Sequence, residues 1–139
     1  MADATAYSTY DYDGYRPNRG VAAQYLWVAP ANGKLRDYDL TPRESKQFRT
    51  LAELSAASGQ EQHGVELDYD AFENLRPPDA SKPHAIYFAK DLDFKLKPGG
   101  KAVDRGVRLP NVNDDFTGAA PDLGAYEVGR PIPVYGPRE

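Results

Sequence analysis

The chain has 139 residues, 40% of them hydrophobic, and a mean hydropathy of −0.69, enough for one domain with a lean core and not for two. Seventeen basic against 21 acidic residues give a formal charge of −4 with no Lys/Arg cluster to track phosphates, which excludes a nucleic-acid role. No apolar run reaches the roughly 18 residues of a membrane span, the N-terminus Met1-Ala-Asp-Ala-Thr-Ala6 lacks the regions of a signal peptide, and the absence of Cys excludes disulfides, thiolate metal sites and a cysteine nucleophile.

Ten Tyr, twelve Gly and twelve Pro favour short β structure over long helices. From Tyr7 to Tyr15, tyrosines at alternating positions before Gly14 predict a strand that turns at Asp13-Gly14. Residues 16–20 read as loop, and Ala23 to Val28, with Tyr25, Leu26 and Trp27, as a second strand. Leu35 to Lys46 is charged and lacks a clean period, so it reads as an excursion over the surface. Thr50-Leu-Ala-Glu53 is a capping box, in which the Thr50 hydroxyl accepts from the Glu53 amide and the Glu53 carboxylate reaches back to the Thr50 amide. It opens a two-turn helix over Thr50 to Ser58 that Gly59 stops.

Gly64 to Asp68 alternates apolar and acidic residues as a strand does, followed by a turn at Tyr69-Asp70 that places Phe72 inward. Residues 76–83 form a Pro-rich loop, and Ala85 to Phe88 a short edge strand. From Lys101 to Gly129, short apolar dyads alternate with Asn, Asp, Gly and Pro. A chain that turns every few residues while placing one Val or Leu inward reads as a solenoid. Strands near Tyr10, Tyr25, Val65, Ala85 and Val103 should then stack in parallel with the helix docked on one side. The tail 130–139 has too many prolines for a ladder and should lie extended.

The run from Phe48 to Val65, then Asp68 to Phe72, Asp93 to Gly99, Ala102-Val-Asp-Arg-Gly106 and Pro121-Asp-Leu-Gly-Ala-Tyr-Glu127, resembles the C-terminal coils of bacterial right-handed parallel β-helix proteins of the pectin-lyase-like class. It departs at Gly100-Lys101, where that class has Ser-Pro, and at Gly64, where Ser is common. The expected fold is mainly β: a single domain over 1–139 with irregular first coils at 1–47, terminal coils at 48–129 and the extended tail. The resemblance implies a bacterial protein working outside the cell or in the periplasm on polysaccharide, with the catalytic coils of such proteins upstream of anything present here.

Several side chains are candidates for chemistry. His63 has Ser58, Glu66 and Asp68 near in sequence to orient an imidazole, or it bonds a backbone carbonyl at the helix exit; His84 sits in a loop. Asn113, Asp114, Asp115 and Asp122 form the densest oxygen cluster, suited to calcium or to Asx-turns, and Asp11-x-Asp13-Gly14 offers the same choice. Tyr12, Tyr15 and Trp27 with Arg16 and Arg36 suit an acidic oligosaccharide, rings stacking on sugar faces and guanidinium forks holding uronate carboxylates. Recognition or processing of acidic carbohydrate is the first functional expectation. The alternatives are a non-catalytic end-cap that self-associates as a homodimer over Tyr7 to Trp27, and a small metal-assisted hydrolase built on His63 and Asp68.

Overall fold

The structure is a computed structural model that describes residues 8–18, 20–30 and 43–133. It divides into two compact units, residues 1–66 and 67–139, each described here by itself. Among the described residues no helix is long and apolar enough to cross a membrane.

In the first unit the elements are β1 (Gly14–Tyr15), β2 (Tyr25–Pro30), β3 (Arg43–Phe48), helix α1 (Leu51–Ser58) and β4 (Val65–Glu66). The longest ladder is antiparallel, pairing β2 with β3 from Tyr25 opposite Phe48 to Pro30 opposite Arg43. Alternation puts Tyr25 and Trp27 on one face, with Phe48 and Lys46 across from them. On that face Tyr25 packs with Leu51 and Leu54 of α1, and Tyr15 and Phe48 close the cluster. Leu51 and Leu54 are one turn apart, so a two-turn helix presents both to the sheet. Its ends form as the local sequence dictates: Thr50 Oγ1 accepts from the Glu53 amide at 3.1 Å, and Gly59, at φ 71°, donates its N–H to the Ser55 carbonyl. The Glu53 carboxylate reaches the amide of Arg49 at 2.8 Å rather than that of Thr50.

The second unit is built around Ala71, Leu96 and Ala102. A 3₁₀ turn (Tyr69–Ala71) leads into Phe72, which bridges Leu96 in antiparallel fashion while its ring meets Phe94 edge to face at 6.0 Å. A second 3₁₀ turn covers Ala89–Asp91, and the rest of the described unit is turn and irregular chain.

These elements overturn the expected parallel solenoid. Among the described residues parallel pairing is confined to β1 with β4, two residues on each strand, and the main pairing is antiparallel. Neither Ala85 to Phe88 nor Ala102 to Gly106 forms a strand, and residues 43–48, read as surface excursion, do. The Asn/Asp/Gly texture that suggested coils has another physical use. Asp104 Oδ1 accepts from the amides of Ala119 (2.7 Å) and Ala120 (3.1 Å), and the Asp122 carboxylate from those of Asp104 (2.8 Å) and Val128 (2.7 Å). Glu127 accepts from the amides of Thr117 and Asp122. Backbone donors that a solenoid would spend on the next coil are satisfied by side-chain oxygens within the loops.

Candidate functional site

In the first unit, residues 10–15 lie along residues 60–66. The β1/β4 register sets Gly14 opposite Val65, the Val65 amide donates to the Asp13 carbonyl at 3.0 Å, and the Glu61 amide to that of Tyr10 at 2.8 Å. Tyr10 is held further by its amide bond to Gln60 Oε1 at 2.7 Å. This seam gathers three tyrosines, four carboxylates and a histidine.

Asp11 is its best-connected acid. One oxygen accepts from the amides of His63 (2.7 Å) and Tyr12 (3.0 Å), and the other meets His63 Nδ1 at 2.8 Å. Burial works upward on this carboxyl, but the bonds from His63 and Tyr12 outweigh it and hold it below its ordinary 3.8. The Tyr12 ring lies flat on the imidazole, centroids 4.5 Å apart and planes 7° off parallel, with the Tyr12 backbone at φ 62°. His63 Nδ1 is thus engaged, while 58% of the side chain is exposed.

Two phenols are tied down by acids. Tyr15 donates to Glu61 Oε1 at 2.5 Å and Tyr25 to Glu66 Oε1 at 2.7 Å, and their rings meet edge to face at 5.7 Å. Burial first, and then the carboxylate partner, raises both phenols well above their ordinary 10. Beside them Tyr15, Arg16, Gln24, Tyr25, Leu26 and Leu54 line a small cleft of about 90 Å³. In the second unit a wider groove of about 380 Å³ is lined by Asn74, Arg76, Ile86, Tyr87, Phe88 and Asp91. Ile86, Tyr87 and Phe88 are 80%, 48% and 58% exposed. The Tyr87 hydroxyl is anchored by the Asp79 amide at 2.9 Å, and Lys90 Nζ lies 5.8 Å from the Phe88 ring centre. Arg76 forms no ion pair among the described residues.

Comparison of the chain with family models, curated proteins and solved structures finds no match. The chemistry therefore rests on these side chains alone.

Of the residues expected from sequence, Tyr15 and Arg16 share one cleft, and Tyr12 joins His63. Trp27 packs edge to face on Tyr10 at 5.8 Å. Arg36 and Tyr7 lie outside the described residues. His63 takes Asp11 as its partner instead of Ser58, Glu66, Asp68 or a backbone carbonyl. Asp68 belongs to the second unit, where it caps the first 3₁₀ turn. Asp114 is engaged by Arg108 Nε at 2.6 Å and the Asn111 amide at 2.5 Å, and Asp122 by the amides of Asp104 and Val128, while Asp115 is exposed. Among the described residues no three His, Cys, Asp or Glu side chains gather as a metal cage. Sequence reasoning missed Glu61 and Arg76. Glu61 sits in the polar string Gln60-Glu-Gln-His63, which shows no inward period; Arg76 was passed over as part of a loop, although the apolar run Ala85 to Phe88 after it is the local signal of a groove wall.

Proposed function

We propose that this protein recognises acidic carbohydrate, with the groove of the second unit as its principal contact and the Tyr15/Arg16 cleft as a lesser one. The observation that carries the reading is the groove. Exposed aromatic rings offer flat apolar area to the C–H face of a pyranose, Asn74 and Asp91 match vicinal hydroxyls, and an Arg76 fork without an ion-pair partner suits a uronate carboxylate. Its volume falls in the range of ordinary ligand pockets, and its openness to solvent makes the binding weak.

The test is titration with a uronate oligosaccharide and with its neutral counterpart of equal length, followed by calorimetry and amide NMR. Arg76→Ala should weaken the acidic ligand about tenfold, the loss of one charge-assisted contact, and leave the neutral one unchanged. Replacing Tyr87 and Phe88 together by Ala should weaken both. Arg16→Ala measures the share of the cleft. Absence of binding at millimolar ligand, or affinities indifferent to all these variants, would overturn the reading.

The Asp11–His63 pair supports a second reading, hydrolysis by general-base catalysis. A carboxylate on Nδ1 orients the imidazole so that Nε2 takes a proton from water. His63→Gln should then abolish ester hydrolysis that exceeds the rate given by free imidazole at equal concentration. A rate unchanged by that substitution removes this reading.

A further inference from the structure

We propose that Glu61 keeps its proton in the folded chain and donates it from Oε2 to the Asp13 carboxylate, fastening residues 10–15 onto residues 60–66. Glu61 is 2% exposed and is the buried charged side chain among the described residues. Its Oε1 accepts the Tyr15 hydroxyl, but its Oε2 is buried with no hydrogen-bond partner. A carboxylate oxygen left bare inside a protein is costly, so something neutralises it.

The surroundings name the candidate. A Cβ added to Gly64 would stand 3.1 Å from Oε2, so the oxygen lies against the bare face of a glycine, which offers it no donor. From the facing segment comes the side chain of Asp13, whose backbone carbonyl is bonded to the Val65 amide. The remaining titratable groups of the seam are already matched. Asp11 is paired with His63, Tyr25 donates to Glu66, and Tyr15 donates to Glu61 itself. A bare buried oxygen beside a second carboxylate is repaired by a proton on Glu61, which supplies the missing donor and removes one charge.

The titration agrees in direction. Burial pushes Glu61 above its ordinary 4.5, the Tyr15 hydroxyl pulls it down, the Asp13 carboxyl pushes it up again, and the net result is upward. The backbone is also committed, since Glu61 sits at φ 54°, a left-handed conformation kept in place by the Tyr10 carbonyl and the Gly64 amide. Because the folded value is raised, the stabilisation is complete below 4.5 and is lost as pH rises through the folded value, the reverse of ordinary acid denaturation.

Trp27 reports on the seam directly, since Tyr10 lies on its ring. Expected in the full chain is a seam that loosens with rising pH, seen as a shift in Trp27 emission and a falling urea midpoint. The carboxyl carbon of Glu61 should titrate above its ordinary 4.5 by NMR. Glu61→Gln places a permanent donor on the bare oxygen and should flatten this pH dependence. Asp13→Asn removes the carboxylate that pushes Glu61 upward and should move the Glu61 titration down, and it keeps the proposal testable if the glutamine variant does not fold. A Glu61 carboxyl signal that titrates at its ordinary value overturns it, as does a wild-type pH dependence retained in Glu61→Gln. Stabilisation by added calcium that displaces the proton would also overturn it, assigning the pair to a cation.

Discussion

Leu54→Ala should remove a large share of the stability of the first unit. Leu54 is 2% exposed and is the largest side chain among the described residues to be fully enclosed. Truncation deletes three carbons' worth of burial, about 2.4 kcal/mol at about 0.8 kcal/mol per methylene, before any cavity cost. The walls of the site are poorly placed to collapse. Tyr25 is tethered through its hydroxyl to Glu66 and Tyr15 to Glu61, so neither ring slides freely into the space. That places the loss in the upper part of the observed range for such changes, about 3–4 kcal/mol. A unit spanning residues 1–66 has a total stability of about 3–10 kcal/mol, so the loss takes at least about a third of it and brings the urea midpoint down in proportion. Urea titration followed by Trp27 fluorescence measures this, because the chain's single Trp lies in β2. Leu109→Ala, at a side chain 49% exposed in the second unit, serves as control and should change stability by less than about 0.5 kcal/mol. A Leu54→Ala loss below about 1 kcal/mol would refute the packing described for Tyr25, Leu51 and Leu54.

Alkali should open the first unit as its phenols ionise: Tyr15 and Tyr25 are both raised above 10, so their contribution is present below that value and is lost above it, and tyrosinate absorbance should show two Tyr titrating late. Asp11 acts in the opposite sense, its lowered value giving stability above 3.8 that disappears as pH falls through the folded value; Asp11→Asn should remove that acid limb and shift the His63 and Tyr12 ring resonances. Asp104→Ala strips the acceptor from the Ala119 and Ala120 amides and should cost the second unit about 1–2 kcal/mol, read by faster hydrogen exchange at those two amides. The homodimer first expected from an exposed solenoid coil loses that premise with the solenoid, and light scattering at tens of micromolar tests it: a monomer mass refutes the expectation.

What was legible in the sequence was what neighbours along the chain decide. Thr50, Glu53 and Gly59 announce the helix because a cap is a local bond, and Tyr25 to Val28 announces β2 because its aromatic and β-branched side chains suit a half-buried sheet. β3 was illegible because Arg43-Glu-Ser-Lys-Gln47 has no apolar alternation and owes its extended form to the ladder with β2. The candidate sites fared likewise. His63 could be singled out, but its partner Asp11 lies 52 positions away, and the Tyr15 to Glu61 bond spans 46. The solenoid expectation failed at one identifiable point: Asp104 and Asp122 were read as marking turns between strands, whereas their carboxylates, with that of Glu127, stand in for the strands' hydrogen bonds.

That substitution has an evolutionary consequence for the second unit. A ladder ties the length of every segment to its neighbour's, so an insertion anywhere upsets the register of the whole. A loop pinned by its own carboxylate answers only to that pin. Between Asp104 and Ala119 residues can be gained or lost while the same two amides find the same oxygen. Segments anchored in this way can diverge quickly in length and composition, and what selection has to preserve is a handful of acids at the anchoring points.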